Sequence, residues 1–251
     1  MTSPRPDNEK LAGYYTSPEY LSHASRPTSL IGRVYNLARH FTIQRKVKLV
    51  EGSQKPGTLL DFGCGTGEFL FQAHKKGWKT YGVEPSDAAR NVAAARLPDV
   101  TPTLQDVPRG VCNAITLWHV LEHVPDLHDT LSELAERLTP DGTLFIAVPN
   151  IASADSLYYG DKWAGLDVPR HLWHFNRQSM ERLLQATNLK LSRTVSMKLD
   201  AYYVSLLSER YKNNNRLTPR GYVRAMRTGV LSNRAARKSG EYSSLIYVAR
   251  K

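Results

Sequence analysis

Apolar positions along the chain fall into short continuous runs that alternate with amphipathic stretches. Residues 58–62, 79–84, 113–118 and 143–148 read as strands. The last is apolar almost throughout, the pattern of a strand covered on both faces. Between them, 68–76, 88–96 and 126–138 read as helices. In the third, Leu127, Leu131, Leu134 and Leu138 recur at spacings of 4, 3 and 4. Gly77 ends the first helix, and Ser86 or Asp87 caps the second. A short third strand is expected to end near Leu104, just before Asp106, and Pro140-Asp141-Gly142 reads as a turn. Further on, 178–187 reads as a helix capped by Asn176, and 189–195 and 244–249 as the last two strands. Upstream, Leu30, Val34, Leu37, Phe41 and Val47 predict one or two helices before the first strand, and residues 1–10 read as a polar tail. Strands alternating with helices predict an α/β fold.

The first strand runs into Asp61-Phe62-Gly63-Cys64-Gly65-Thr66-Gly67 and then a helix. A strand, a glycine turn and a helix form a nucleotide-type pocket at the carboxyl edge of a parallel sheet. Glycine lets a ligand approach the backbone where a side chain would hold it off. The spacing D-x-G-x-G-x-G lacks the helix-terminal arrangement of G-x-G-x-x-G that grips a pyrophosphate.

The connection over 151–176 is long and rich in aromatic and ionisable residues, the composition of a functional loop. Within it His171 is the first candidate for a general base, because a neutral imidazole can take a proton from an attacking hydroxyl. Asp167 or Glu122 is placed to orient it, and Arg170 to hold an anionic group; the alternative is that Arg170 and His171 pin the loop. His119, Glu122 and His123 stand at i, i+3 and i+4, so a helix would put two imidazoles and a carboxylate on one face, a ligand set for a divalent ion. The competing reading has Glu122 and His123 hydrogen-bonded near the turn.

The stretch 57–150, with a continuation to about 190, resembles the class I S-adenosylmethionine (SAM) dependent methyltransferases. The string Asp167-Val168-Pro169-Arg170-His171-Leu172-Trp173-His174-Phe175 resembles the D-x-P-R-H-L-x-H-F loop of a broad bacterial subgroup. Trp118 to Val124 partly resembles the ubiquinone-biosynthesis O-methyltransferases, which carry acid, acid and histidine where this chain has His119, Glu122 and His123. With histidine at 119 the expectation is no metal. The resemblance implies a Rossmann-like three-layer sandwich around a seven-stranded, mostly parallel sheet with its last strand antiparallel. It implies an N-terminal helical lid over 1–56, a SAM-binding domain over 57–251 and an insertion at about 201–241. Asp61, Gly63, Cys64, Gly65 and Gly67 would shape the site for the methionine moiety. Glu84 would accept the ribose hydroxyls, Asp106 would bind the adenine amino group, and Trp118 and His119 would line the methionine end. Tyr14, Tyr15, Tyr20 and His23 are lid or substrate candidates, Trp163 and His174 further substrate candidates, and His119 joins Asp167, Arg170 and His171 as a catalytic candidate.

The net charge of +11 changes the picture through its distribution. Arg210, Lys212, Arg216, Arg220, Arg224, Arg227, Arg234, Arg237 and Lys238 lie in one stretch without an acid, and the rest of the chain is close to neutral. Thr218-Pro219 starts a helix there, with Val223, Met226 and Val230 on one side and arginines on another. Such a helix rests on an anionic membrane, contacts RNA phosphate or is a solvated face. No run of about 18 apolar residues exists, so no membrane span is expected. The polar N-terminus is not a secretory signal. Two cysteines, Cys64 and Cys112, exclude a disulfide framework and fit a reducing, cytoplasmic setting with peripheral membrane contact left open. The function expected is O-methylation of a small or lipid-like molecule. The alternatives are RNA modification through 210–238, which lacks an N-P-P-Y-type motif and a catalytic cysteine pair, and a non-catalytic SAM-binding scaffold.

Overall fold

The structure, a computed structural model, describes residues 1–4 and 30–251, with side chains from residue 40 in the second stretch. Tyr14, Tyr15, Tyr20 and His23 lie outside the described residues. Helix α1 (Leu30–Glu51) leads into β1 (Thr58–Phe62), α2 (Glu68–Lys75), β2 (Lys79–Val83), α3 (Asp87–Ala94), β3 (Val100–Thr101) and β4 (Cys112–Trp118). Then follow α4 (Leu127–Arg137), β5 (Leu138–Pro149), α5 (Ala154–Tyr159), α6 (Arg177–Ala186), β6 (Lys190–Ser196), α7 (Asp200–Lys212), α8 (Pro219–Ser239) and β7 (Ser244–Arg250). The seven strands form one sheet in the order β3-β2-β1-β4-β5-β7-β6, Rossmann-like, with β1 parallel to β2 and β4 and the last strand antiparallel.

Three elements differ from the pattern. The third strand is only Val100–Thr101, because Pro102 has no N–H to continue the ladder. The chain turns there, and Leu104–Asp106 forms a 3-10 turn. Pro140-Asp141-Gly142 does not turn: β5 runs through it. Gly142 serves close approach, since a Cβ there would lie 2.9 Å from the Cys112 carbonyl oxygen. The connection over 151–176 is built from α5 and two 3-10 turns, Gly160–Lys162 and Ala164–Leu166.

The chain divides into two compact units. Of the described residues, one comprises 30–118, Leu131–Phe145 and Arg250–Lys251. Its core is the inner strands β1 and β4, where Leu59, Leu60, Ile115 and Leu117 are fully buried, with Leu70 and Trp78 beside α2. The other comprises 1–4, His119–Thr130 and Ile146–Ala249. Its core includes Trp163, Leu172, Met180, Leu184 and Tyr247. Asn176 caps α6 with a reciprocal box: its side chain accepts from Ser179 N–H, and the Ser179 hydroxyl accepts from Asn176 N–H.

The basic segment folds as a helical pair, α7 and α8, in this second unit. Thr218 caps α8 by accepting from Gly221 N–H, with Pro219 at the first position as expected. The buried side is not the one the large apolar residues mark. Gly221, Ala225, Thr228, Gly229, Ser232 and Ala236 are buried, and Val223 and Val230 are exposed. Gly229 sits flat against Tyr202 of α7, where a Cβ would lie 2.6 Å from the ring.

Asp155, fully buried on α5, ties this unit together. Its Oδ1 accepts from Ser232 Oγ of α8 at 2.6 Å, and its Oδ2 from Trp163 Nε1 at 2.8 Å and Ser243 Oγ at 2.7 Å. Removing the carboxylate orphans three buried donors at once, each costing roughly 1–3 kcal/mol. Asp155→Ala is expected to lower stability by about 3 kcal/mol or more in denaturant unfolding. A loss under about 1 kcal/mol would show that the network does not hold the unit.

Candidate functional site

The glycine turn is stitched to the end of β2. Gly63 N–H and Cys64 N–H both donate to the Val83 carbonyl, at 2.7 and 3.0 Å. One residue on, Glu84 is 5% exposed; its Oε2 accepts from Gly65 N–H at 2.8 Å and its Oε1 from Ser86 N–H at 2.9 Å. The carboxylate is therefore fixed across the turn, each oxygen keeping further acceptor capacity. Gly63, Gly65 and Gly67 all have φ between 55 and 74°, the left-handed region glycine enters freely. Above Gly65 the space is open, whereas a Cβ on Gly67 would meet Ala93 at 2.9 Å. Gly65 is thus bare for a ligand, and Gly67 for helix packing. Cys64 contributes backbone to the turn, and burial pushes its thiol well above the usual range.

Asp61, 2% exposed, accepts from Thr116 Oγ1 of β4 at 2.6 Å. Burial pushes its carboxyl up to about 7; the Thr116 bond and Lys46 of α1 oppose that, and Glu84 adds to it. Thr116 and Lys46 were not singled out from the sequence. Trp118 ends β4 with its ring edge-on to Phe69 and the Lys46 ammonium 4.6 Å from its centroid. Its indole N–H is buried without a hydrogen-bond partner among the described residues. Asp106 lies beyond the third strand rather than at its end, exposed in the 3-10 turn, where its Oδ2 accepts from Thr103 Oγ1 at 3.4 Å.

In the other unit, His119, Glu122 and His123 do not share a helical face. Leu121–His123 is a 3-10 turn, and His119 stands before it with φ 60°, uncommon outside glycine. The His119 ring bridges two acids, with Nδ1 3.4 Å from Glu122 Oε1 and Nε2 3.3 Å from Asp200 Oδ2. Burial works to lower its pKa, but the two acids outweigh it and raise it to about 9. His119 is therefore an imidazolium at neutral pH. Asp200 opens α7, a helix the periodicity did not reveal.

Glu122 is 1% exposed. Burial opposes its ionisation, but His119, His171 and His123 outweigh burial and hold its carboxyl below the usual range. Its own carbonyl accepts from Leu172 N–H at 2.8 Å, docking the 151–176 connection. His171 Nδ1 lies 2.9 Å from the Gly165 carbonyl oxygen, and His123 Nδ1 lies 3.1 Å from that of Arg170. A carbonyl only accepts, so both Nδ1 atoms carry protons, and the neutral His171 ring keeps its lone pair on Nε2. Burial lowers the His171 pKa to about 4, with His123 adding to the effect and Glu122 opposing it. The two rings meet edge-on with centroids 4.6 Å apart. Glu122, His123 and His171 each offer one ligand atom, and these lie within 4.8 Å of one another. The metal-ligand set that the geometry permits thus exchanges His119 for His171.

Asp167 Oδ1 pairs with Arg170 at 2.7 Å, and its Oδ2 lies 3.7 Å from His171 Nε2. Asp167 therefore faces the proposed base, and Arg170 is partly occupied by Asp167. His174 Nε2 donates to the Leu166 carbonyl at 2.9 Å. Trp163, a substrate candidate, is 1% exposed with its indole N–H bound to Asp155, which makes it a wall of the fold.

A methyltransferase domain family matches residues 35–194. The mitochondrial ubiquinone biosynthesis O-methyltransferase of Bos taurus is 26% identical over 184 residues, 64% of this chain and 48% of that protein. The chain spans about half the length of that relative. The crystal structure of the [4+2]-cyclase SpnF superposes with a TM-score of 0.64 at 16% identity, covering 98% of this chain and 97% of that one. Geranyl diphosphate C-methyltransferase from Streptomyces coelicolor A3(2), in complex with Mg2+, geranyl diphosphate and S-adenosyl-L-homocysteine, gives 0.58 at 17% identity over 91% and 88%. The two structural likenesses speak to the fold, and the match over 35–194 to the lineage: the chain belongs to the methyltransferase domain family, whose members draw their methyl group from SAM.

Proposed function

We propose that this chain moves the methyl group of SAM to a hydroxyl oxygen of a small or lipid-like acceptor. The observation that carries the reading is the neutral His171 imidazole, its Nε2 lone pair fixed by the Gly165 bond, beside the buried carboxylate of Glu122. The first unit fits the cofactor: open space over Gly65, a carboxylate set across the turn, and an orphaned indole N–H on Trp118. Asp61 and the glycines hold the methionine moiety, Glu84 the ribose and Asp106 the adenine. SAM supplies an electrophilic methyl on sulfonium sulfur when bound.

The chain's own residues position and deprotonate the acceptor. His171 Nε2 takes the hydroxyl proton as the oxygen bonds the methyl carbon and the carbon–sulfur pair leaves with sulfur. The imidazolium formed is stabilised by Glu122 and Asp167. His119, already charged, holds Glu122 in place while Asp200 balances it. Arg170 faces an anionic acceptor group in part, being shared with Asp167.

Calorimetric titration should find SAM binding weakened strongly by Glu84→Ala, which removes two ribose acceptors. An unchanged affinity would remove Glu84 from the cofactor site. Asp61 gives a sharper signature. Protonated below about pH 7 in the free protein, it must ionise to face the ligand's ammonium. SAM affinity should therefore rise from about pH 6 to about pH 8 with proton release on binding, and Asp61→Asn should flatten both. Titration in buffers of different ionisation enthalpy reads the proton directly.

The acceptor is tested with radiolabelled SAM against hydroxylated aromatics with and without prenyl chains. His171→Ala should lower turnover by about 100-fold or more and leave SAM affinity unchanged. Methyl found only on carbon or nitrogen would overturn the oxygen acceptor. Turnover lost on chelation and restored by Zn2+ would convert His171 from base to ligand.

A further inference from the structure

The structure assigns a second surface to this chain. We infer that the outward face of α8 is a docking surface for an anionic phospholipid bilayer. An ordinary surface helix turns its large apolar residues inward. Here the inward side is the small-residue stripe described above, and Tyr222, Val223, Val230 and Leu231 are 51 to 67% exposed.

The outward residues form rows. Seven residues make nearly two full turns, so residues at that spacing lie almost above one another. Val223 and Val230 make one such row and Arg220, Arg227 and Arg234 the next, about 60° away around the axis. Among the described residues, Arg220, Arg227 and Arg234 meet no acid; Arg224, reaching Glu209 at 3.5 Å, is the one arginine of α8 in an ion pair. The helix holds no acidic residue. Tyr203 and Tyr211 of α7 are also exposed. No helix among the described residues is long and apolar enough to cross a membrane, so the contact is one of lying upon it.

An apolar row beside a cationic row matches the bilayer interface in both respects. Valines enter below the headgroups while arginines reach the phosphates, their stems covering apolar surface. RNA would satisfy the arginines and leave Val223, Val230 and Leu231 wet, with Tyr222 the single aromatic of α8 to stack on a base.

Co-sedimentation of the full chain with vesicles tests this. Phosphatidylcholine vesicles containing roughly 30% phosphatidylglycerol should retain the protein, and pure phosphatidylcholine should not. Raising salt from about 0.1 M to about 0.5 M should weaken binding at least fivefold, by about the same factor as Arg227→Gln with Arg234→Gln. Val223→Ser with Val230→Ser should weaken it at least about fivefold. Hydrogen exchange of the unchanged protein provides a second reading without substitutions: residues 219–239 should slow when anionic vesicles are added. No retention by anionic vesicles overturns the proposal. So does retention indifferent to the two valine changes, or displacement by single-stranded RNA at nucleotide concentrations well below the lipid phosphate present. Each readout is independent of methyl transfer, so its failure leaves the catalytic reading standing.

Discussion

A buried carboxylate governs the chemistry of one unit. Glu122, shut away from water, is tolerated only with positive charge or donors close by, because an isolated ion there would cost several kcal/mol or more. His119 answers that need, and His119 is itself held by Asp200. The backbone carbonyl of Glu122 accepts from Leu172 N–H and docks the 151–176 connection. Further bonds tie the connection down, two of them within it and two to His123 and Val124. His171 bonds to Gly165, His123 to Arg170, His174 to Leu166 and Trp173 to Val124, each through a ring nitrogen and a backbone carbonyl. Each of the three histidine bonds fixes which ring nitrogen carries the proton. A segment that looks like a loop in sequence is therefore a scaffold that sets tautomers.

The glycine turn obtains its order differently. Its donors are backbone N–H groups and its acceptors are Val83 and Glu84 at the exit of β2. The parallel pairing of β1 with β2 brings those two strand ends level, Phe62 opposite Val83. A carboxylate one residue past the register pair then reaches Gly65 without strain. Asp61 is the counterweight. Placed inside the strand rather than past it, it loses water and keeps its proton to about pH 7. Two acids at the ends of adjacent strands thus sit in different settings, Glu84 accepting from backbone donors and Asp61 facing the core.

The sheet was legible because its signals are local. A buried strand, a glycine turn and a leucine repeat each act over about ten residues or fewer, and β1, β4 and α4 appear where those patterns place them. The positions of Asp61, the glycines and Glu84, the residues proposed for the cofactor, were legible for the same reason, since they lie at or beside the ends of β1 and β2. What failed was anything set by distant partners. His119, Glu122 and His123 are three and four apart, which suggests one helical face, yet a positive φ at His119 and a 3-10 turn send the rings in different directions. His171, 48 residues beyond His123, enters the cluster through tertiary docking that no spacing encodes. Asp200 was missed because α7 mixes polar and apolar residues without a clean stripe.

Helix α8 shows the same limit from the opposite side. Its start was readable from Thr218 and Pro219, because a cap is a local bond. Its orientation was not, because hydrophobic periodicity weighs residues by size, and here close approach mattered more than size. Tyr202 fills the space that a side chain at 229 would occupy, so the interface takes glycine, and the serine, threonine and alanine around it follow. Ser232 adds a reason of its own, since only a short hydroxyl at that depth reaches Asp155. Once the inner side is committed to small residues, the valines and arginines have only the outside left. The exposed rows are thus fixed in place by packing on the far side of the same helix, and their charge and apolarity stand where a solvent-facing helix has no use for both.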